Sequence, residues 1–305
     1  HKAMKTSLKT LGYSENDDIL SPFVKELAGW LVSENIRTAS QNDLMSLNYW
    51  NMYRITPPPF IRQAVEEHVL HDYAYHNKER RYYFAYDQMV DYFGAKAIVA
   101  QAESEIQLRE KLFRDILKAE DSRGVNFSNE DLFIHACVLY RAEYGKECID
   151  LIDELNDGYE KNELIRRYIQ SFQWRDSSTV SRKEFLELLR KYDPEPEDVW
   201  KVLIGNSVKT THPLNAEYLH ELLISYELNK RDYLWTIYIN NVFSDESTRI
   251  AQLVQNYTKG EPVVMKSKKQ TELLLTLFAW LLTSSDRTFR DCTSKAMIEI
   301  LKEDF

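Results

Sequence analysis

The sequence predicts a mainly all-α protein. Its expected architecture is a HEAT-like α-solenoid of antiparallel helix pairs, preceded by a small winged-helix-like module with a short β-hairpin. Three observations lead there. Glycine and proline are scarce, eight of each in 305 residues, which is too few turn-formers for a β-sandwich or barrel. Apolar residues recur at helical spacing over most of the chain. Capping patterns led by serine punctuate that spacing.

The winged-helix-like module is assigned to residues 1–86. A helix is expected over Asn16 to Glu34, because Val24, Leu27, Ala28 and Leu31 fall at i, i+3, i+4 and i+7 on one face. A short β-branched stretch, Asn35 to Thr38, follows, and Ser40 can cap a second helix running to Leu47. Pro57, Pro58 and Pro59 stop regular structure and can open a helix from Phe60 to Leu70. Two aromatic runs, Tyr73 to Tyr75 and Tyr82 to Phe84, flank a polar turn at His76 to Arg81, the pattern of a hairpin.

Residues 87–305 read as the helical-repeat region. Ser104 with Gln107, Ser128 with Asp131 and Ser181 with Glu184 mark helix starts, and Gly124, Gly145 and Gly158 fall where helices should end. Short connections between helices of about 10–16 residues imply antiparallel neighbours. Near the end, the apolar stretch Thr271 to Thr283 is followed by Ser284 and Ser285 in a turn. Asp286 then caps a helix over Phe289 to Leu301. This pair reads as one degenerate repeat, with Ala279, Trp280 and Phe289 in a shared interior and Phe289, Ala296, Met297 and Ile300 facing the partner helix. The array ends at Phe305 without a polar cap, and His1 to Met4 resemble a tag remnant; both suggest a piece of something longer.

The chain carries 39 Lys and Arg against 48 Asp and Glu, a net charge of −9. An acidic balance does not favour a nucleic-acid partner, because that affinity comes from cations that neutralise phosphates. Three cysteines, Cys137, Cys148 and Cys292, without a close pair fit reduced thiols better than disulfides or zinc. The longest apolar run, around Leu273 to Leu282, falls well short of the ~20 residues that cross a bilayer. A cytoplasmic protein with no membrane partner is therefore expected. Neither G-x-G-x-x-G nor G-x-x-x-x-G-K-[ST] occurs, so no nucleotide cofactor is expected.

Two runs carry a family resemblance. One is His212-Pro213-Leu214-Asn215 with Leu219-His220, Arg231-Asp232, Trp235-Thr236 and Tyr238-Ile239. The other is Ala279 to Arg287 continued by Arg290-Asp291 and Thr293 to Ala296. Both are similar to stretches of long bacterial STAND NTPases, above all the antiviral STAND NTPases (the AVAST family), many of which act in anti-phage defence. A third segment, Phe84 to Asp87 with Asp91 and Ala95, resembles the junction where a winged helix hands over to the helical sensor. The resemblance implies an N-terminal effector and a P-loop core, both absent from this sequence, and a C-terminal helical sensor, of which this chain would be part. It implies a protein ligand, such as a phage protein, and contact with the ATPase core of the same parent chain. No ATP-binding residue carries over, because none of the matching positions belongs to the nucleotide motif.

Side chains with chemical potential have a functional and a plainer reading. His68, His71 and His76 with Asp72 could gather a metal, His68 and His71 sharing a helical face at i, i+3. Surface histidines are the simpler account. His212 and His220 with Glu217 or Glu221 could do acid–base work. A helix start capped by Asn215, with His220 buried or paired along the helix, is the stronger account. Cys137 and Cys148 read as small core residues, since His135 points away from Cys137 on a helix. Arg80-Arg81 and Lys266 to Lys269 are the compact basic runs and read as solvated loops. Asp286, Arg287, Arg290 and Asp291 read as architecture, with Asp286 and Arg290 paired at i, i+4. The expectation is therefore a chain with no catalytic, cofactor-binding or metal residue of its own, serving as a non-catalytic sensor scaffold. The competing reading is a small stand-alone helical hydrolase using histidine and carboxylate groups.

Overall fold

The computed structural model describes residues 18–74, 79–112, 130–153, 159–244, 248–259 and 267–303. The protein is mainly helical, with one small antiparallel sheet. It divides into two compact units, His1–Tyr168 and Ile169–Phe305.

In the first unit, α1 spans Leu20–Ser33 and buries Val24, Leu27, Ala28 and Leu31, the face that its periodicity marks. Strand β1 is only Ala39–Ser40. Ser40 then caps α2, Gln41–Met45, through a reciprocal box: its hydroxyl accepts from Asp43 N–H, and the Asp43 carboxylate accepts from Ser40 N–H at 2.7 Å. Helices α3 (Tyr49–Tyr53) and α4 (Pro57–Glu66) follow, the second opened by proline as expected. It stops at Glu66, short of Leu70, because His68 turns left-handed with φ 54° and Leu70 begins a strand.

Strands β2 (Leu70–Ala74) and β3 (Arg80–Phe84) form the expected hairpin, with Leu70 opposite Phe84. The sheet is larger than a hairpin: β1 pairs with β3, Ala39 opposite Tyr82, giving the order β1-β3-β2. The residues that join it lie just past the β-branched stretch Asn35 to Thr38. Phe23, Trp50 and Phe60 pack beneath, with 5.0 Å between the Phe23 and Phe60 ring centres.

Helix α5, Asp87–Gln101, follows directly and packs on α1. The approach is close: a Cβ on Gly94 would lie 2.5 Å from Val32 Cγ2. Val90 of α5 belongs to the same core as α1 to α4, so the helix past the expected boundary at Tyr86 shares the interior of the module before it. Helices α6 (Glu105–Lys111), α7 (Glu130–Tyr144), α8 (Ile149–Asp153) and α9 (Tyr159–Ser171) complete this part of the chain, with α7 packed on α5. Ser104 caps α6, and Gly145 follows α7 with φ +66°, where glycine avoids the left-handed penalty. Ser128, Gly124 and Gly158 lie outside the described residues.

The second unit contains α10 (Arg182–Tyr192), α11 (Pro196–Asn206), α12 (Ala216–Ser225) and α13 (Leu228–Arg231). A π-helical stretch, Asp232–Thr236, leads into α14 (Ile237–Ser244). Helices α15 (Arg249–Thr258), α16 (Lys268–Leu281) and α17 (Arg287–Glu303) end it. Ser181 caps α10, Asn215 caps α12, and Asp286 accepts from Phe289 N–H at 2.7 Å at the start of α17. Helix α12 packs on α11 and α16, and α17 packs on α15 and α16.

The final helix pair differs from expectation in one respect. Phe289, Ala296 and Ile300 are buried and Met297 is half-buried, but Ala279 is exposed and Trp280 is half-buried. Leu273, Leu274, Leu277, Phe278 and Leu281 already fill the inner face of α16. Ala279 and Trp280 lie to either side of the Phe278 and Leu281 directions, about 100° per residue away, and so leave that interior. Ser284 and Ser285 do occupy the turn.

Candidate functional site

The residues that sequence reasoning weighed for chemistry are mostly dispersed. His68 and His71 have ring centres 5.7 Å apart, but not on a helix: His68 follows α4 in a left-handed turn and His71 lies on β2. His76 is outside the described residues. Asp72 pairs with Arg80 at 3.3 Å, and Arg81 with Glu79 at 3.6 Å. No group of three or more His, Cys, Asp or Glu among the described residues is placed to hold a metal ion. Cys137 and Cys148 are buried, and His135 stacks edge-on against Tyr92. At the start of α17, Arg290 does not pair with Asp286. It donates to Ser284 O at 2.6 Å, while Arg287 reaches Asp291 at 3.8 Å.

His212 is a buried structural group. Its Nδ1 accepts the Leu214 N–H at 3.1 Å in the turn before α12, which leaves Nε2 as the protonated nitrogen, buried and without a partner. Burial first, and then the Lys209 ammonium, push its pKa down to about 4, against a smaller opposing pull from Asp176. A neutral ring with its lone pair occupied cannot take a proton from a substrate.

His220 is neither buried nor paired with Glu217. It is exposed on α12, and its Nδ1 accepts the Trp280 Nε1–H of α16 at 3.1 Å. Glu217 is instead bound to Lys269, and Glu221 to Arg182 at 3.0 Å. Lys266 lies outside the described residues.

His220 and Trp280 form the wall of a groove of 340 Å³ between α12 and α16, completed by Thr276, Ala279 and Thr283. Helix geometry sets both sides. His220 follows Glu217 by one turn on the outer face of α12, and Thr276, Ala279, Trp280 and Thr283 follow the i, i+3, i+4, i+7 stripe of α16. The Arg231 guanidinium lies over the Trp280 ring, 5.5 Å from its centre. Ile224, one turn beyond His220, is 57% exposed, and Leu228 at the start of α13 is 64% exposed.

The floor of the groove is tied to the core through indoles. Trp235, fully buried in the π-helical stretch, donates from Nε1 to Trp280 O at 3.1 Å and to Thr283 Oγ1 at 3.2 Å. Its ring meets Trp200 edge-on at 5.4 Å, and Trp200 Nε1 donates to Leu234 O. Sequence reasoning missed Trp280 and Arg231 as site residues. His220 and Trp280 are sixty positions apart, and nothing local announces their hydrogen bond. Comparison with protein-family models, curated proteins and solved structures finds no match.

Proposed function

We propose that the chain is a non-catalytic recognition scaffold, the winged-helix and HEAT-like helical portion of a bacterial antiviral STAND NTPase. In this reading it binds a protein ligand, such as a phage protein, in the cytoplasm and relays that event to an ATPase core outside this sequence. The observation that carries the reading is the groove of the second unit, where Trp280, His220 and Arg231 meet, with Ile224 exposed one helical turn beyond His220. Tryptophan and arginine at the centre of an apolar surface are the residue types that dominate protein-binding energy. Contiguous exposed apolar side chains mark such surfaces on otherwise charged proteins.

Other features support the same reading. The order helix, short strand, helices and hairpin, with β1 paired to β3, suits a winged helix. Packing of α12 on α11 and α16, and of α17 on α16, suits degenerate helical repeats. Of the two histidines weighed for acid–base chemistry, His212 is buried and neutral and His220 Nδ1 is engaged by Trp280, while Glu217 and Glu221 are held in ion pairs, which disfavours the hydrolase alternative. No described helix is long and apolar enough to cross a membrane. The relay would be a population shift: a ligand that prefers one packing of the helices draws the switch toward it.

The test is the reading frame that encodes the chain. It is expected to carry G-x-x-x-x-G-K-[ST] upstream, and its product to protect a susceptible bacterial strain in plaque assays. A frame without that motif, whose product leaves plaque counts unchanged across a phage panel, would defeat the proposal.

A further inference from the structure

We infer that the groove between α12 and α16 takes an acidic–apolar segment of a protein, seating an apolar side chain against Trp280 while Arg231 and the Nε2–H of His220 hold an adjacent carboxylate. The inference rests on the recognition reading above and specifies its ligand chemistry.

The acidic side chains on the groove's flanking helices are already committed: Glu217 and Glu272 to Lys269, and Glu221 to Arg182. Asp232, beside Arg231, accepts from Thr236 Oγ1. Arg231 has no carboxylate partner among the described residues and lies over an aromatic face instead. Lys230 does the same over Tyr226, 5.0 Å from the ring centre. An acidic chain thus presents, over the indole of this groove, a guanidinium that its own described carboxylates do not pair.

The hydrogen-bond inventory points the same way. His220 Nδ1 is occupied by Trp280 Nε1–H, so the ring offers a donor at Nε2. The Thr276 and Thr283 hydroxyls are spent on Glu272 O and Trp280 O. The open polar groups are therefore donors, and a guanidinium with an imidazole N–H suits a carboxylate. The Ala279 methyl and the indole supply the apolar side, and Ile224 lies exposed one helical turn beyond His220. A nucleic-acid strand would also accept stacking on Trp280, but it needs several phosphates neutralised along its path. One guanidinium at the groove, on a chain of net charge −9, favours a single acidic residue in a protein segment.

The experiment selects a displayed library of random peptides of roughly 12 residues on the immobilised chain, with Trp280→Ala and Arg231→Gln chains selected in parallel. Both changes are at surface-reaching side chains, and circular dichroism with urea unfolding verifies that the variants fold. Expected is a consensus with Asp or Glu next to Leu, Ile, Phe or Met. Its synthetic peptide should bind the parent about tenfold more tightly than it binds Arg231→Gln, and lose about as much when its own Glu becomes Gln. It should also shift the Trp280 indole N–H resonance. A library that yields no acidic–apolar consensus overturns the inference. So does displacement of the peptide by oligothymidylate at equal concentration. A consensus that binds both variants as well as the parent overturns the groove assignment and leaves the recognition reading standing, since phage protection tests that reading separately.

Discussion

Between pH 7.5 and pH 5 the second unit is expected to lose about 2 kcal/mol of stability through His212 alone. The ring is 1% exposed, its Nδ1 is engaged by the Leu214 N–H, and its pKa lies at about 4 in place of the ordinary 6.5. In the unfolded chain the imidazole takes a proton as the pH falls through 6.5, while the folded ring stays neutral. The unfolded state therefore binds more protons, and stability falls with pH over that window. The stabilisation is present above 6.5 and is spent as the pH approaches 4. A separation of that size is worth on the order of 3 kcal/mol in full, and about 2 kcal/mol of it has gone by pH 5.

The clean perturbation is His212→Asn. An Asn Oδ1 can stand where Nδ1 accepts the Leu214 N–H, and the side chain does not titrate. Loss of ring packing should cost the variant about 1–2 kcal/mol at every pH, so the slope is the readout and not the level. Urea unfolding at pH 7.5, 6.5, 5.5 and 5 measures it. The parent should lose about 2 kcal/mol more than the variant across that range. Parallel profiles for the two proteins would show that the histidine titrates normally in the folded state, and the burial argument would fail.

Further outcomes follow from other contacts. Gly94→Ala places a Cβ 2.5 Å from Val32 Cγ2 and should destabilise by about 1–3 kcal/mol in urea; Val32→Ala in the same chain should restore part of that loss, a coupling that a double-mutant cycle reads directly. Arg37→Leu removes the guanidinium 2.6 Å from the buried Asp91 carboxylate and should cost about 2–3 kcal/mol, more than Asp91→Asn, which removes the buried charge and leaves a half-exposed guanidinium that water can solvate; equal losses in thermal unfolding would contradict this. Trp235→Phe loses the hydrogen bonds to Trp280 O and Thr283 Oγ1 and should cost about 1–2 kcal/mol while moving the Trp280 indole resonance; an unmoved resonance would mean that the groove floor does not depend on Trp235.

What was legible in the sequence is what depends on neighbours a few positions away. Ser40, Ser104, Ser181, Asn215 and Asp286 all cap helices as their spacing indicates, because an N-cap needs only its own side chain and an amide two or three residues on. The buried face of α1 followed from its period alone. The hairpin was readable too, but its third strand was not: Ala39 and Ser40 become a strand only through pairing with Tyr82 and Arg81, some forty residues on. Helix α16 shows the same limit from another side. From Leu273 to Leu282 only Thr276 is polar, so periodicity assigns no inner face. Packing decides it, and packing sends Trp280 toward His220 instead of Phe289. The site was hidden because its partners come from separate helices.

The indole chain gives that hidden site a mechanical consequence. Trp280 is half-buried, yet its carbonyl is held by the Nε1–H of fully buried Trp235. Trp235 sits in the only π-helical stretch among the described residues of the second unit, where the helix accommodates one more residue per hydrogen-bonded turn than an α-helix does. That stretch separates α13, which carries Arg231, from α14, whose Asn240 accepts from Ser284 Oγ and Ser285 N–H in the turn before α17. A ligand that pulls on Arg231 or Trp280 would therefore act on the π-helical stretch and on the turn before the last helix. In the proposed sensor this is the place where binding energy at the surface would be exchanged for a change in helix packing, since Trp235 links the wide turn to the carbonyl of Trp280.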